Sequence, residues 1–274
     1  MQSNNLTLKV NNLLKYYLGV LSQLGDFQQF GNFPVIIADE TPVPLKTEIK
    51  IVEKSTVPIV TKEPQEQVNS KIVTSQIVKQ QYNLENIQTL EELRLLLIKA
   101  EVCEIQHFST NTVFGDGNPN AKILVIGEAP GQEEDEQGIP FCGRSGQLLM
   151  NAFSSIGLQR NKNFFITNNI FWRPPGNRKP TDVELESCRP FLKKMIEIIN
   201  PEVVICIGAV AAQNILETQN SISSLRGRIF NKAFDFTTKV FCLYHPSYLL
   251  RNPSKKYEMY KDLLGILPNI SHLL

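Results

Sequence analysis

Four short, mostly apolar runs recur along the C-terminal part of the chain, and they limit what it can fold into. The runs span residues 123–126, 164–168, 203–208 and 239–244. A continuous apolar run that is bounded by turn residues is typical of a strand buried on both faces. Parallel strands need crossover connections, and segments with helical spacing lie between these runs. The pattern predicts an α/β fold with a central, mostly parallel four-stranded sheet flanked by helices.

Two of the predicted helices begin with recognisable N-cap residues. Residues 90–100 carry leucines at helical spacing, follow Thr89 and have glutamates in the first turn. Residues 182–200 follow Thr181 in the same way, and a further helix begins at residue 209. Threonine accepts hydrogen bonds from the first free N–H groups of a helix, and acids favour its positive end.

The N-terminal part of the chain differs in composition from the rest. Leucines and aromatic residues at roughly helical spacing predict one amphipathic helix within residues 1–35. Residues 36–82 contain four prolines, many charged and polar residues and no aromatic residue before Tyr82, which indicates a flexible linker. A few irregular strands packed on the core are the alternative. The folded domain is expected to span residues 83–274.

Overall composition excludes several classes of protein. The net charge is +1, so any basic surface for nucleic acid must be local. Five cysteines without a CxxC pair indicate a reducing compartment, and we expect a cytoplasmic monomer. The first thirty residues lack the features of a signal peptide. No apolar run reaches the roughly 20 residues of a membrane span, so no membrane association is expected.

Polar and aromatic residues stand at the ends of the predicted strands. The strand at 123–126 runs into a Gly/Pro turn and a run of acids, and other strands end at Asn168 and before His245. The carboxyl ends of parallel strands meet at one crevice, which predicts a shared pocket. Its candidate residues are Glu128, Glu134, Phe141, Asn168 and His245. Each also has an ordinary structural reading, such as a solvated acidic face, a core aromatic or a turn residue.

Several motifs occur together in one order along the chain. They are VIGEAPGQEEDEQGIPFCGRSGQLL from residue 125, ITNNIFWRPPGNRKP at 166–180, CRPFL at 188–192 and HPSYLLR at 245–251. Together they resemble the signature of the family-4 uracil-DNA glycosylases, over roughly residues 85–265. The resemblance implies an enzyme that flips uracil out of DNA and hydrolyses its N-glycosidic bond, leaving an abasic site in base excision repair.

The resemblance also implies roles for the pocket residues. Phe141 matches the aromatic residue on which uracil stacks, and Asn168 matches the asparagine that reads the base edge. His245 matches the histidine that stabilises the leaving uracil anion.

The resemblance also suggests roles for the rest of the loop after the first strand. Because Ala129 stands where other uracil glycosylases have a water-activating acid, Glu128 is assigned to base binding and water positioning. Glu134 is assigned to the pocket wall, where it could exclude the thymine methyl group. Three further residues are candidates near the base: the glycines Gly127 and Gly131, and Asn177, which matches a family asparagine.

The same comparison implies a DNA-binding surface near HPSYLLR. Ser247 is the candidate phosphate contact, and the candidate wedge residues that fill the gap left by the flipped base are Tyr248, Leu249 and Leu250. Nearby cations that could form a local basic surface are Arg173, Arg178 and Arg251. Scattered solvated cations are the alternative for any one of them.

The chain departs from the family at the iron–sulfur site. Family-4 enzymes carry a [4Fe–4S] cluster on four cysteines, and only Cys103 and Cys188 remain as matches. Gln106 and Trp172 stand at the other two positions, so we predict that the cluster is absent and that the indole fills its volume. A zinc site built from Cys103, His107 and Cys188 is a further hypothesis, although it lacks a fourth ligand.

Three functional interpretations remain open from the sequence. The first is an active uracil-DNA glycosylase that acts on uracil-containing DNA without a cofactor. The second is a non-catalytic DNA- or partner-binding relative that has lost the cluster. The third, a nucleotide-cofactor enzyme, is weaker because the VIGEAPG loop lacks the glycine patterns of phosphate-binding loops. The N-terminal segment could also tether the chain to a repair or replication partner.

Overall fold

The structure, a computed structural model, describes residues 82–274. The helix predicted within residues 1–35 and nearly all of the linker predicted over residues 36–82 lie outside the described residues. None of the helices in the described range is long and apolar enough to cross a bilayer.

One sheet of six strands organises the described part of the chain. The strands are β1 (Asp116–Gly117), β2 (Ile123–Gly127), β3 (Phe164–Asn168), β4 (Val203–Ile207), β5 (Phe230–Ala233) and β6 (Phe236–Leu243). Their order across the sheet is β1-β3-β2-β4-β6-β5. Every residue of β2, β3 and β4 is buried, as the continuous apolar runs indicated.

The predicted parallel centre is confirmed, but the predicted number of strands is wrong. The four inner strands, β3, β2, β4 and β6, pair in parallel. The two edge strands, β1 and β5, pair antiparallel with their neighbours. Both escaped prediction because β1 has two residues and three of the four residues of β5 are partly or fully exposed. Short edge strands of this kind carry no continuous apolar run.

Helices cover the sheet and connect its strands. They are α1 (Leu90–Lys99), α2 (Gln132–Gln137), α3 (Arg144–Ser155), α4 (Arg160–Asn163), α5 (Asp182–Ile199), α6 (Ala209–Leu216), α7 (Ile222–Leu225), α8 (Pro246–Arg251) and α9 (Lys256–Ile270). Short 3₁₀ turns lie at Leu84–Asn86, Glu104–Phe108, Pro175–Asn177, Pro253–Lys255 and Ser271–Leu273.

The predicted helix starts are correct for the two capped helices. Thr89 accepts a hydrogen bond from the Glu92 N–H at the start of α1. Thr181 accepts one from the Glu184 N–H at the start of α5. In both cases the glutamate side chain accepts in return from the backbone N–H of the threonine, which completes a capping box.

Candidate active site

The loops that follow the parallel strands surround one cavity of about 640 Å³. This volume lies within the range of small-molecule pockets. β2 and β3 end side by side, since Gly127 pairs with Asn168 in register. The predicted site residues that line the cavity are Glu128, Gly131, Glu134, Phe141, Asn168, Asn177, Arg178, His245, Ser247, Tyr248 and Arg251. The strand ends therefore meet as the sequence predicted.

Gly127 does not line the cavity but lies beneath it. A Cβ atom built on Gly127 would overlap the Asn168 Oδ1 atom and the Phe141 ring. The missing side chain is therefore what allows the amide and the aromatic ring to come together at the end of β2.

Phe141 is held in an uncommon backbone conformation. Its φ angle is +53°, in the left-handed region that non-glycine residues rarely adopt. Arg160 Nη2 donates to the carbonyl oxygens of Pro140 at 2.9 Å and of Phe141 at 3.1 Å. A Cβ on Gly146 would overlap the Phe141 carbonyl, so α3 packs directly against this backbone. These contacts keep the ring at the cavity, with its centroid 6.2 Å from that of His245.

The Asn168 side chain is ready to bind a ligand. The residue is only 2% exposed and ends β3 at the cavity. Within the described residues its side-chain amide makes no hydrogen bond, and neither of its polar atoms is sealed from solvent. A buried amide with a free donor and a free acceptor is costly unless a bound molecule or water satisfies both.

The geometry around His245 determines which ring nitrogen carries the proton. The Ser247 backbone N–H donates to His245 Nδ1 at 3.2 Å, and the Ser247 hydroxyl lies 2.7 Å from the same atom. Because a backbone N–H only donates, Nδ1 is unprotonated and the neutral ring carries its proton on Nε2. Burial, and then the charge of Arg251, lower the pKa of His245 to about 4. The imidazole is therefore neutral at pH 7 and keeps one N–H donor.

Gly208 allows the histidine to approach the end of β4. Its φ angle is +94°, and a Cβ on Gly208 would lie 3.1 Å from the Cβ of His245. A side chain at this position would press against the His245 side chain. Gly208 was not among the predicted site residues, although a glycine directly after a buried strand is a usable signal.

The two glutamates differ in their surroundings. The Glu128 carboxyl makes no hydrogen bond within the described residues, and burial raises its pKa although the charge of Lys179 opposes the rise. The Glu134 carboxylate instead accepts from the backbone N–H groups of Gly131 at 3.1 Å and Gly143 at 3.0 Å. Glu134 thus joins the N-termini of α2 and α3, a role that the sequence did not reveal.

The cationic side chains near the cavity differ in whether other residues already bind them. Both ends of the Arg178 fork donate to Glu184, at 2.9 and 2.6 Å. Arg173 Nε donates to Asn177 Oδ1 at 2.6 Å and does not line the cavity. Lys179, which was not among the predicted site residues, and Arg251 line the cavity and form no ion pair among residues 82–274.

The positions of Leu249 and Ser247 in α8 do not suit their predicted roles as a wedge residue and a phosphate contact. Leu249 is completely buried, so it packs in the interior and is not available as a wedge. Tyr248 lines the cavity, whereas Leu250 is half-buried outside it. Both donors of Ser247 are directed at His245, which leaves neither free for a phosphate oxygen.

The residues at the family's iron–sulfur positions do not fit a four-thiolate cluster. A hydrogen bond between the two thiols lowers the pKa of Cys103, and burial raises the pKa of Cys188. The Gln106 amide donates to the Ala100 carbonyl at 2.8 Å and accepts from the Val102 N–H at 3.2 Å. Trp172 is 1% exposed. Over residues 82–274 no three His, Cys, Asp or Glu side chains form a metal-binding group, so the hypothesised zinc ligands do not assemble.

Comparison with known proteins agrees with this geometry. Residues 114–265 match the uracil DNA glycosylase superfamily. A type-4 uracil-DNA glycosylase of Archaeoglobus fulgidus is 36% identical over 185 residues, which cover 66% of this chain and 92% of that protein. A type-4 enzyme of Thermotoga maritima is 40% identical over 159 residues, covering 58% and 81%. A type-5 enzyme of Pyrobaculum aerophilum is 27% identical over 184 residues, covering 59% and 79%. The chain therefore belongs to the uracil-DNA glycosylase superfamily and, within it, to the type-4 enzymes.

Proposed function

We propose that this cavity binds a uracil base flipped out of DNA and hydrolyses its N-glycosidic bond. The observation that carries the proposal is the unpaired Asn168 amide, which lies next to the Phe141 ring in a cavity also lined by a neutral His245. A flat ring with an imide edge satisfies all three groups at once. The reaction leaves an abasic site, the first product of base excision repair.

Selection of uracil rests on the amide of Asn168. Its donor and acceptor complement the carbonyl and N–H of a uracil edge, while the Phe141 ring stacks on the base. Cytosine presents a different pattern and would leave buried polar groups unpaired, which is costly. We assign exclusion of thymine to the loop that Glu134 holds together.

Departure of the base rests on His245. When the C–N bond breaks, the bonding electrons stay on uracil, and its carbonyl oxygen gains negative charge. The Nε2–H of His245 donates to that oxygen and stabilises the leaving anion. The neutral state of the ring matters, because Nδ1 must remain an acceptor for the Ser247 N–H. Glu128, with its free carboxyl in the cavity wall, is assigned to holding the attacking water.

DNA binding rests on the rim of the cavity. Since both Ser247 donors are directed at His245, we assign phosphate contacts to Arg251 and Lys179. Tyr248 and Leu250 are the remaining wedge candidates, because Leu249 is buried.

Cleavage of a uracil-containing oligonucleotide tests this function. Abasic sites are cut by alkali, so product appears as a shorter strand. We expect the wild-type protein to convert the substrate and Asn168→Ala and His245→Ala to be slower by about 10² to 10³, the usual loss for one transition-state donor. A wild-type protein as slow as both variants would instead support a non-catalytic DNA-binding relative.

We further propose that the chain carries no [4Fe–4S] cluster. The support is that two of the four family cysteine positions hold Gln106 and Trp172, both already engaged within the fold. The Trp172 indole donates to Thr112 Oγ1 at 3.0 Å. The Gln106 amide hydrogen-bonds to the backbone of Ala100 and Val102. Neither side chain offers a thiolate, and each is already used in a structural hydrogen bond.

Iron analysis of anaerobically purified protein tests the cluster proposal. We expect less than one iron per chain and no broad visible absorption band. A matched variant, Gln106→Cys with Trp172→Cys, restores four cysteines and should gain iron after reconstitution. About four irons per wild-type chain would contradict the proposal, because that is the content of one cluster.

Residues 83–274 are proposed as the catalytic domain, acting as a monomer. Residues 1–82 are proposed to tether it to a repair or replication partner. The support is compositional: the family match begins at residue 114, and the preceding sequence is rich in proline and polar residues.

A further inference from the structure

A buried asparagine ties together the two loops that carry the candidate base-binding residues. Asn169 follows directly after β3 and is completely buried. Its backbone N–H and its Nδ2 both donate to the Gly127 carbonyl, at 3.0 and 3.1 Å. Gly127 is joined to Glu128 by the next peptide bond, and Asn169 is joined to Asn168. One side chain therefore links the backbone entering both loops.

Asn169 is itself held by a chain of hydrogen bonds that runs away from the cavity. Asn214 on α6 donates through Nδ2 to Asn169 Oδ1 at 2.8 Å. Asn214 Oδ1 accepts from Arg189 Nη2 on α5 at 2.9 Å. We call Asn169, Asn214 and Arg189 the asparagine relay. Because arginine only donates and the Gly127 carbonyl only accepts, the two ends determine the orientation of both amides.

Two carboxylates hold Arg189, which is the end of the relay nearest the surface. Arg189 donates to Glu186 at 2.8 Å and to Glu217 at 3.0 Å. Its side chain is 14% exposed, and Asn214 is 6% exposed. Buried amides are stable only when their hydrogen bonds are made, so the relay favours one geometry of the Gly127 carbonyl over others.

The Asn168 amide and the Phe141 ring, which are proposed to bind the base, pack directly against Gly127. A Cβ at Gly127 would overlap both Asn168 Oδ1 and the Phe141 ring, so these groups are in contact with its Cα. A rotation of this peptide would displace the amide, the ring and the start of the Glu128 loop together. None of the three relay residues lines the cavity, so the relay does not touch the base itself.

We propose that Asn169 is a positioning residue for uracil hydrolysis. It holds the Gly127–Glu128 peptide in the orientation that aligns Asn168 and Phe141 on the base, and Asn214 and Arg189 hold Asn169. The inference rests on the function proposed above. Displacements of about 1 Å in a catalytic site can cost roughly 10²-fold in rate, so loss of the relay should be visible in catalysis.

The test compares Asn169→Leu with Asn163→Leu in the full-length chain. Asn163 is also buried, donates to the Leu273 carbonyl at 3.0 Å and accepts from the Gln159 N–H, but it lies outside the cavity. The readouts are the single-turnover rate on uracil-containing DNA, inhibition by free uracil and affinity for undamaged DNA. All are measured well below each variant's melting temperature, with the folded fraction checked by circular dichroism.

We expect Asn169→Leu to lower the single-turnover rate by about 10²-fold and to weaken uracil inhibition by about tenfold, with DNA affinity within about twofold of wild type. Asn163→Leu should melt earlier yet keep the wild-type rate and uracil inhibition. Should Asn169→Leu not fold, Asn214→Leu leaves the Gly127 bonds in place and should give a smaller loss in the same two readouts.

Two results would overturn the proposal. One is a folded Asn169→Leu protein with wild-type rate and uracil inhibition. The other is an equal loss in Asn163→Leu, which would show a general effect of stability. A wild-type chain that cleaves no uracil would contradict the proposed function instead. In that case, calorimetric binding of free uracil to wild type and Asn169→Leu would test the relay, and equal affinities would overturn it.

Discussion

The protonation of one imidazole is decided by its immediate neighbours. Ser247 presents only donors to His245 Nδ1, and burial together with Arg251 lowers the pKa of the ring to about 4. Protonation of Nδ1 would remove the acceptor for the Ser247 backbone N–H and leave Nδ1–H only the Ser247 hydroxyl as a partner. At neutral pH the ring is therefore uncharged and keeps its Nε2–H as a donor, which is the state that the role proposed for His245 requires.

This pKa makes acid stability dependent on His245. In the unfolded chain the histidine titrates near 6.5, so between pH 6.5 and about 4 the unfolded state takes up a proton that the folded state does not. The free energy of unfolding should fall as pH decreases through this window, by at most about 3 kcal/mol from this group. Urea unfolding of wild type and His245→Gln at pH 7 and pH 4.5 measures the difference.

Nuclear magnetic resonance provides the control for this prediction. The chain has three histidines, and the His245→Gln variant identifies the relevant resonance. Arg251→Gln removes the nearby positive charge, so the His245 pKa should rise in that variant. A wild-type His245 that titrates near 6.5 would contradict the predicted loss of stability at low pH.

At the level of secondary structure, two helix starts share one carboxylate. The N-cap residues of α2 and α3 are the glycines Gly131 and Gly143, which have no side chain to cap a helix. Glu134 instead accepts from the backbone N–H groups of both N-cap glycines, and so holds the two helix starts together. The loop between these helices carries Phe141, so this carboxylate also sets the position of the aromatic ring.

Replacement of Glu134 should therefore affect folding as well as activity. Glu134→Ala leaves two N–H groups without their charged acceptor, and we expect a loss of about 1 to 3 kcal/mol in stability together with slower cleavage. Glu134→Gln retains an acceptor oxygen and should lose less. Glu133→Ala is the matched control, because this exposed neighbour makes no hydrogen bond among the described residues. Equal effects at both positions would argue against a specific role for Glu134.

At the scale of the molecule, the sheet brings together loops that are distant in sequence. Glu128, Asn168 and His245 lie at or just after the ends of three different strands, and they meet because β2, β3, β4 and β6 are parallel neighbours. All the cavity residues named above lie within residues 82–274. We predict that the reaction needs no residue from the N-terminal segment.

Deletion of residues 1–81 tests this expectation. We expect the shortened chain to cleave a uracil-containing oligonucleotide within about twofold of the full-length rate, because the proposed linker does not contribute to the catalytic domain. The comparison is made at several salt concentrations, since phosphate contacts make DNA affinity depend on salt. A large loss at low and high salt alike would assign part of the catalytic domain to residues 1–81.

A site residue could be predicted from the sequence when the pattern that marks it lies within a few neighbouring positions. Phe141, Asn168 and His245 stand in or beside turns after recognisable strands, and their convergence follows from parallel pairing alone. The roles of Glu134 and Ser247 depend on hydrogen bonds that no periodicity records. The burial of Leu249 likewise depends on which face of α8 meets the core.

By itself, the amino-acid sequence determined the parallel centre of the sheet, the capped starts of α1 and α5 and the family of the chain. These features come from apolar runs, capping residues and motifs, which act over a few neighbouring positions. Only the tertiary structure decided the two edge strands, the tautomer of His245 and the relay from Arg189 to Gly127. Each of these depends on backbone pairing or on donors and acceptors from separate segments, whose meeting is set by packing of the whole domain.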